Sequence, residues 1–146
     1  MTLEQEVLHY RNMVKTYRFD YLTGMKQRHD FEHESLRKFI DKEFYLTMYD
    51  VVGLHSVNKD HGYAAGDALI RQVANDVKLT ECLWDTYRIG GDEFMALHFE
   101  RPIGNVENAT SATVCSKDFK SFSEMISSVD LLVIEAKTAL KRRRAD

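Results

Sequence analysis

The chain has 146 residues, 44% of them hydrophobic and 11% aromatic, with one proline and a formal net charge of −3 at pH 7, which suits one globular domain and excludes both a disordered segment and bulk nucleic-acid binding. Its two cysteines, Cys82 and Cys115, form no CxxC or Cys/His cluster, so neither a disulfide nor a zinc site is expected. The amino terminus lacks a signal-peptide pattern and no apolar run approaches membrane-spanning length, so a cytoplasmic protein without a membrane partner is expected.

In chain order, Leu3, Val7, Tyr10, Val14 and Tyr17 step by four, three, four and three, the spacing of a helix with an apolar seam. Two heptads leave two readings open: a helix packed on its own domain, or a parallel dimerisation stalk, through which an unknown regulatory protein could also act. Asp20 to Gly24 reads as a turn, and the division follows as an amino-terminal helix over 1–19 and a domain over 20–146. The run with Phe31, Leu36, Phe39 and Ile40 predicts a helix from Arg28 to about Asp41. Phe44 to Tyr49 reads as a buried central strand that stops at Asp50. A short helix over Gly53 to Asn58, a loop over Lys59 to Gly62 and a helix from Ala64 to Lys78 come next, the last with Leu69, Ile70, Val73, Ala74 and Val77 on one face.

Strands at Thr86 to Ile89 and Phe94 to Phe99 flank Gly90-Gly91-Asp92-Glu93, a hairpin with two glycines and two acids at its tip. The glycines can take φ > 0 and let a polyanionic ligand approach the backbone. Adjacent carboxylates repel unless a cation such as Mg²⁺ sits beside them. An ordinary hairpin with solvated acids is the alternative for the tetrad alone. With Asp50 at the end of a central strand, though, the acids have the arrangement a two-metal phosphoryl or nucleotidyl transfer site requires. The predicted fold class is α+β: a palm-like, nucleotidyl cyclase or ferredoxin-like, central antiparallel sheet with flanking helices, preceded by the amino-terminal helix.

Gly90 to Phe94 spells the GGDEF signature, and the chain resembles the diguanylate cyclases in four further blocks in the same order. Asp20-x-Leu22-Thr23-Gly24 is similar to the family's opening turn, and Arg88 to the arginine before the signature. Asp50, Asn58, Gly62, Gly66 and Asp67 match its D-(x7)-N-(x3)-G-(x3)-G-D block, and Asp130 to Lys137 its carboxyl-terminal helix. The likeness runs from residue 20 to about 141.

The resemblance implies condensation of two GTP, one held by each half of a homodimer, into cyclic di-GMP with release of two pyrophosphates. Asp50, Glu93 and the carbonyl of Val51 would hold Mg²⁺ or Mn²⁺. Asp92 would help deprotonate the 3′-hydroxyl or bind a second metal. Asn58 and Asp67 would read guanine, Gly90 and Gly91 would lie against the nucleotide, and Lys137 and Lys141 would meet the phosphates. A carboxylate at Asp67 suits the paired N–H donors of guanine, which adenine lacks.

The chain departs from the family in places. Val52 and His55 stand where a second acid and a lysine are usual, Tyr63 where histidine is common, and Lys141 where arginine is usual. Glu81 and Trp84 occupy the ends of the inhibitory R-x-x-D motif, so product inhibition there is not expected. Glu100 to Ala109 is a ten-residue polar loop where the family places a full crossover helix; about two dozen residues are absent, and Thr110 to Ser116 is the expected next strand. The trimming leaves two readings, harmless loss of a peripheral layer or a weak or inactive GTP-binding module acting through protein contacts. The tail Lys141-Arg142-Arg143-Arg144 reads as a solvated helix end.

Overall fold

The computed structural model describes residues 1–145, and the side chains of all of these except residues 15–17 and 145. Its elements in chain order are α1 (Leu3–Arg18), β1 (Lys26–Gln27), α2 (Arg28–Asp41), β2 (Tyr45–Val51), α3 (Leu54–His61), α4 (Tyr63–Lys78), β3 (Leu83–Arg88), β4 (Glu93–His98), β5 (Ala109–Cys115) and α5 (Phe122–Ala145).

The five strands form one sheet in the order β1-β3-β4-β2-β5. All pairings are antiparallel except β1 with β3, so the sheet is mixed rather than wholly antiparallel. The sequence reading missed β1 because two residues, Lys26 and Gln27, carry no detectable period; pairing with Tyr87 and Arg88 makes them a strand.

β2 shows why the sheet is covered on both sides. Leu46 and Met48 join Met95, Leu97, Met125, Val129 and Val133 in a core under α2 and α5. Tyr49 and Val51, of opposite parity, join Phe94, Ala96, Ile70, Val73 and Val77 in a second core under α4. A strand buried on both faces must be apolar at nearly every position, as Phe44 to Val51 is.

Several boundaries differ from expectation. β2 continues one residue past Asp50 to Val51, because Val51 still pairs with Ala109 of β5. Residues 59–61, expected in a loop, complete α3, which closes at Gly62 (φ 87°) through the bond from its N–H to the Asn58 carbonyl at 3.0 Å. The hairpin strands and β5 are each offset by a residue or more from the predicted limits.

The ten-residue link does carry the chain across the sheet. β4 and β5 both run antiparallel to β2 and are therefore parallel to each other, a connection that ordinarily takes a dozen or more residues and a helix. From His98, opposite Tyr45, to Ala109, opposite Val51, the chain must return along β2 and pass over it. That is about 20 Å along and ~10 Å across, while ten extended residues reach ~33 Å. The slack suffices to arch over β2 but not to form a helix. Val106 anchors the link in the α4-side core, and the Val52 N–H donates to the Asn108 carbonyl at 2.8 Å.

α1 does not pack its seam on the domain. Leu3 (76% exposed), Val7, Tyr10 and Val14 all face solvent, which removes the first reading of that helix. Tyr17, the seam's last member, lies outside the described side chains.

Candidate active site

Strand parity aims the acids. Asp50 shares parity with Leu46 and Met48, and Glu93 with Met95 and Leu97, so both point to the α5 face. They are also directly opposite one another in the β2–β4 register. Asp92, at the end of the tip over 89–92, completes the set: one ligand atom from each of Asp50, Asp92 and Glu93 lies within 4.8 Å of the others. The tip closes through Ile89 N–H to the Glu93 carbonyl at 2.9 Å, and the Val51 N–H donates to the Asp92 carbonyl at 2.9 Å.

Gly90 and Gly91 do not serve the turn as expected: neither adopts a left-handed φ, because a four-residue tip closes without one. What they supply is room. A Cβ at Gly91 would meet nothing within 4 Å, and one at Gly90 only ordinary contact with Glu93.

Like charges opposite on paired strands are destabilising, and here they are partly buried. Asp50 is 3% exposed. Burial pushes its carboxyl above the usual range, and neighbouring Asp92 adds to this. Burial also raises Glu93, with Asp50, Asp92 and Asp130 contributing. Lys137 on α5 opposes both effects by donating to Asp50 Oδ2 at 2.9 Å, and that bond raises its own pKa. In both carboxyls burial outweighs the pull of Lys137.

Asp50, Asp92 and Glu93 make an all-oxygen carboxylate set whose chemistry suits a hard divalent cation. The sign of the pH dependence follows. Asp50 and Glu93 keep protons in the folded state at pH values where the unfolded chain has lost them. Metal-free stability therefore falls as pH rises from the ordinary carboxylate values of 3.8 and 4.5 through the raised ones. Metal must displace those protons, so Mg²⁺ or Mn²⁺ is expected to raise the melting temperature more at pH 8 than at pH 5, the stabilisation at a hundred times Kd being about 2.7 kcal/mol of unfolding free energy. Differential scanning fluorimetry with and without EDTA measures this; an equal shift at both pH values would remove the carboxylates from the metal site.

α3 and α4 form a helical pair with Asn58 on the first and Asp67 on the second. Asn58 lies across Gly66: a Cβ built there would fall 1.7 Å from Asn58 Oδ1. Both Asn58 and Asp67 are half-buried. Lys141, one helical turn beyond Lys137, is exposed.

One arrangement has a larger role than its sequence signal suggested. Arg88 joins the tip to the opening turn: its Nη1 lies 3.1 and 3.2 Å from the Asp20 carboxylate oxygens, Nη2 donates to the Gly91 carbonyl at 2.8 Å and Nε to the Gly90 carbonyl at 3.3 Å. Asp20 in turn accepts from the Thr23 N–H at 2.9 Å and hydroxyl at 2.7 Å. Lysine has no fork to span these acceptors. Arg88→Lys is expected to cost about 1–2 kcal/mol of stability and to weaken Mn²⁺ binding by about tenfold, read by thermal denaturation and metal titration. Unchanged Mn²⁺ affinity would show that the tip holds its shape without the clamp. Asp130 likewise carries no site signal of its own in the sequence; only the helix trajectory brings it within electrostatic reach of Glu93.

The family model for the diguanylate cyclase GGDEF domain matches residues 17–130. Among curated proteins, the chain is 34% identical over 85 residues to MucR of Pseudomonas aeruginosa, a bifunctional diguanylate cyclase/cyclic di-GMP phosphodiesterase, covering 58% of this chain and 12% of that one. It is 30% identical over 105 residues to an uncharacterized membrane protein of Staphylococcus saprophyticus, covering 65% of this chain and 30% of that one. The chain thus spans a third or less of either relative, and among the described residues no helix is long and apolar enough to cross a membrane. Of solved structures, the coiled coil and GGDEF domain of DgcB from Caulobacter crescentus, in complex with c-di-GMP, superposes with a TM-score of 0.78 at 18% identity over 94% of this chain and 89% of that one. SiaD of Pseudomonas aeruginosa, bound to its activator SiaC, does so at 0.65 and 20% identity over 93% and 65%. With that family model matching most of its length, the chain belongs to the family: it is a GGDEF-domain protein of the diguanylate cyclase family.

Proposed function

We propose that the protein is an active diguanylate cyclase. The observation that carries this reading is the convergence of Asp50, Asp92 and Glu93 within 4.8 Å, with Lys137 bonded to Asp50. In the reaction, the 3′-oxygen of one GTP bonds to the α-phosphorus of a facing GTP, and the α–β phosphoanhydride bond breaks to release pyrophosphate. The proton of the hydroxyl passes to the Asp92 carboxylate and then to solvent. The same exchange in the opposite sense closes the ring. A bound divalent cation supplies charge neutralisation and a lowered hydroxyl pKa. Asp50, Glu93 and the Val51 carbonyl hold that cation, Lys137 and Lys141 meet the phosphates, Gly90 and Gly91 give the nucleotide space, and Asn58 with Asp67 selects guanine. Two copies supply the two halves, joined head to head, and the solvent-facing seam of α1 is suited to hold them together.

A second reading, a GTP-binding module without turnover, is favoured by Val52 and His55 and by the loss of a full crossover element between β4 and β5. Incubation with GTP and Mg²⁺ followed by mass spectrometry separates the two, with ATP alone and the mixture as comparisons. Cyclic di-GMP from GTP supports the cyclase; GTP binding with no product supports the module.

A further inference from the structure

The short link between β4 and β5 leaves an open groove on the α4 side of the sheet. The cavity, about 410 Å³, lies between the carboxyl end of α4 and residues 102–107, with buried Tyr49 among its lining residues. Three features set its chemistry. Every charged side chain lining it is acidic, namely Asp76, Glu81 and Glu107, and among the described residues none of the three pairs with a cation. The carboxyl end of α4 adds the negative pole of its dipole. Leu79 from the α4 side and Ile103 from the link are 80% and 86% exposed, large apolar side chains that the domain itself does not cover.

We infer that this groove docks a cationic segment of a partner protein, one that places an apolar side chain against Leu79 and Ile103 and sets lysine or arginine against Asp76, Glu81 and Glu107. Charge complementarity decides the occupant, since an acidic or neutral segment would leave the three carboxylates desolvated and unpaired. The groove's volume holds a few side chains rather than a whole helix, so the partner contributes a short stretch. The chain's own cationic stretch, Lys141 to Arg144, extends beyond Lys137 at the acid site and on the opposite face of the sheet, out of reach of its own groove.

The test uses the full chain and a short fluorescein-labelled peptide repeating Leu-Lys-Lys, with a Leu-Glu-Glu repeat as control, read by fluorescence anisotropy at two salt concentrations. The cationic peptide is expected to bind, more weakly as salt rises, and the acidic one not. Asp76→Lys with Glu107→Lys should weaken binding by about tenfold or more, and Leu79→Ser with Ile103→Ser by about tenfold, each a change of ~1.4 kcal/mol. These positions are half-buried or exposed, and a thermal melt checks that the variants fold. Equal affinity of the charge-reversed protein, equal binding of the acidic peptide, or no binding of the cationic one would overturn the inference. Low-salt self-association of the protein, abolished by the charge reversal, would overturn it too, by placing a second copy in the groove.

Discussion

Glu93→Gln is expected to lower cyclic di-GMP formation from GTP by roughly a thousandfold or more while leaving the protein at least as stable as before. The two effects have one cause. Glu93 stands directly across the β2–β4 ladder from Asp50 and next to Asp92, and burial and those neighbours already hold its carboxyl above the usual range. Glutamine keeps the shape and removes the charge. Cation binding loses a ligand, and the metal-free fold loses a cross-strand repulsion, a relief of about 0.5 kcal/mol. Product quantified by mass spectrometry and melting followed without metal give the two readouts. Undiminished turnover would sink the metal role of Glu93; a large loss of stability without metal would mean that the carboxylate serves the fold instead.

Gly66→Ala sets two magnitudes against each other. Alanine is the better helix former by ~1 kcal/mol, so at an ordinary site in α4 the change would stabilise. At this one the new methyl would sit 1.7 Å from Oδ1 and 2.8 Å from Cγ of Asn58, a clash no real Cβ tolerates. Asn58 must swing away or α3 must shift from α4, and overpacking of this kind costs typically 1–3 kcal/mol. We expect net destabilisation of about 1 kcal/mol and a loss of GTP affinity of about tenfold or more, because Asn58 is one of the two residues proposed to read guanine. Calorimetric titration with GTP and with ATP checks this: affinity should fall for GTP and change little for ATP. Unaltered GTP affinity would place Asn58 outside the base pocket. Gly91→Ala is the internal contrast, since its methyl has open space in the ligand-free chain and any effect must come from the bound nucleotide.

Much of this was legible in the sequence because it is local. The seam of α1, the amphipathic faces of α2 and α4, the apolar run of β2 and the glycine-acid hairpin are patterns of a few residues whose period follows from backbone geometry. α2 falls at its predicted limits, Arg28 to Asp41, and α4 within a residue of its own. The acids could be named from spacing and type alone, as Asp50, Asp92 and Glu93 were.

Other features depend on contacts between distant segments, and no local pattern encodes them. β1 exists only because Tyr87 and Arg88 pair with it. Arg88 clamps the tip only because the opening turn delivers Asp20, 68 residues away in sequence. Lys137 donates to Asp50 across 87 residues of sequence, a contact that the expected phosphate role of this lysine does not reveal. The seam of α1 fits burial as well as exposure by periodicity, and only the packed domain leaves it open to solvent. The sequence by itself determined which acids the protein has and its longer helices and strands, because residue type and short-range spacing state them. Tertiary structure alone decided their register, their shared face and their one balancing cation, because these follow from strand pairing and helix placement over long stretches of chain.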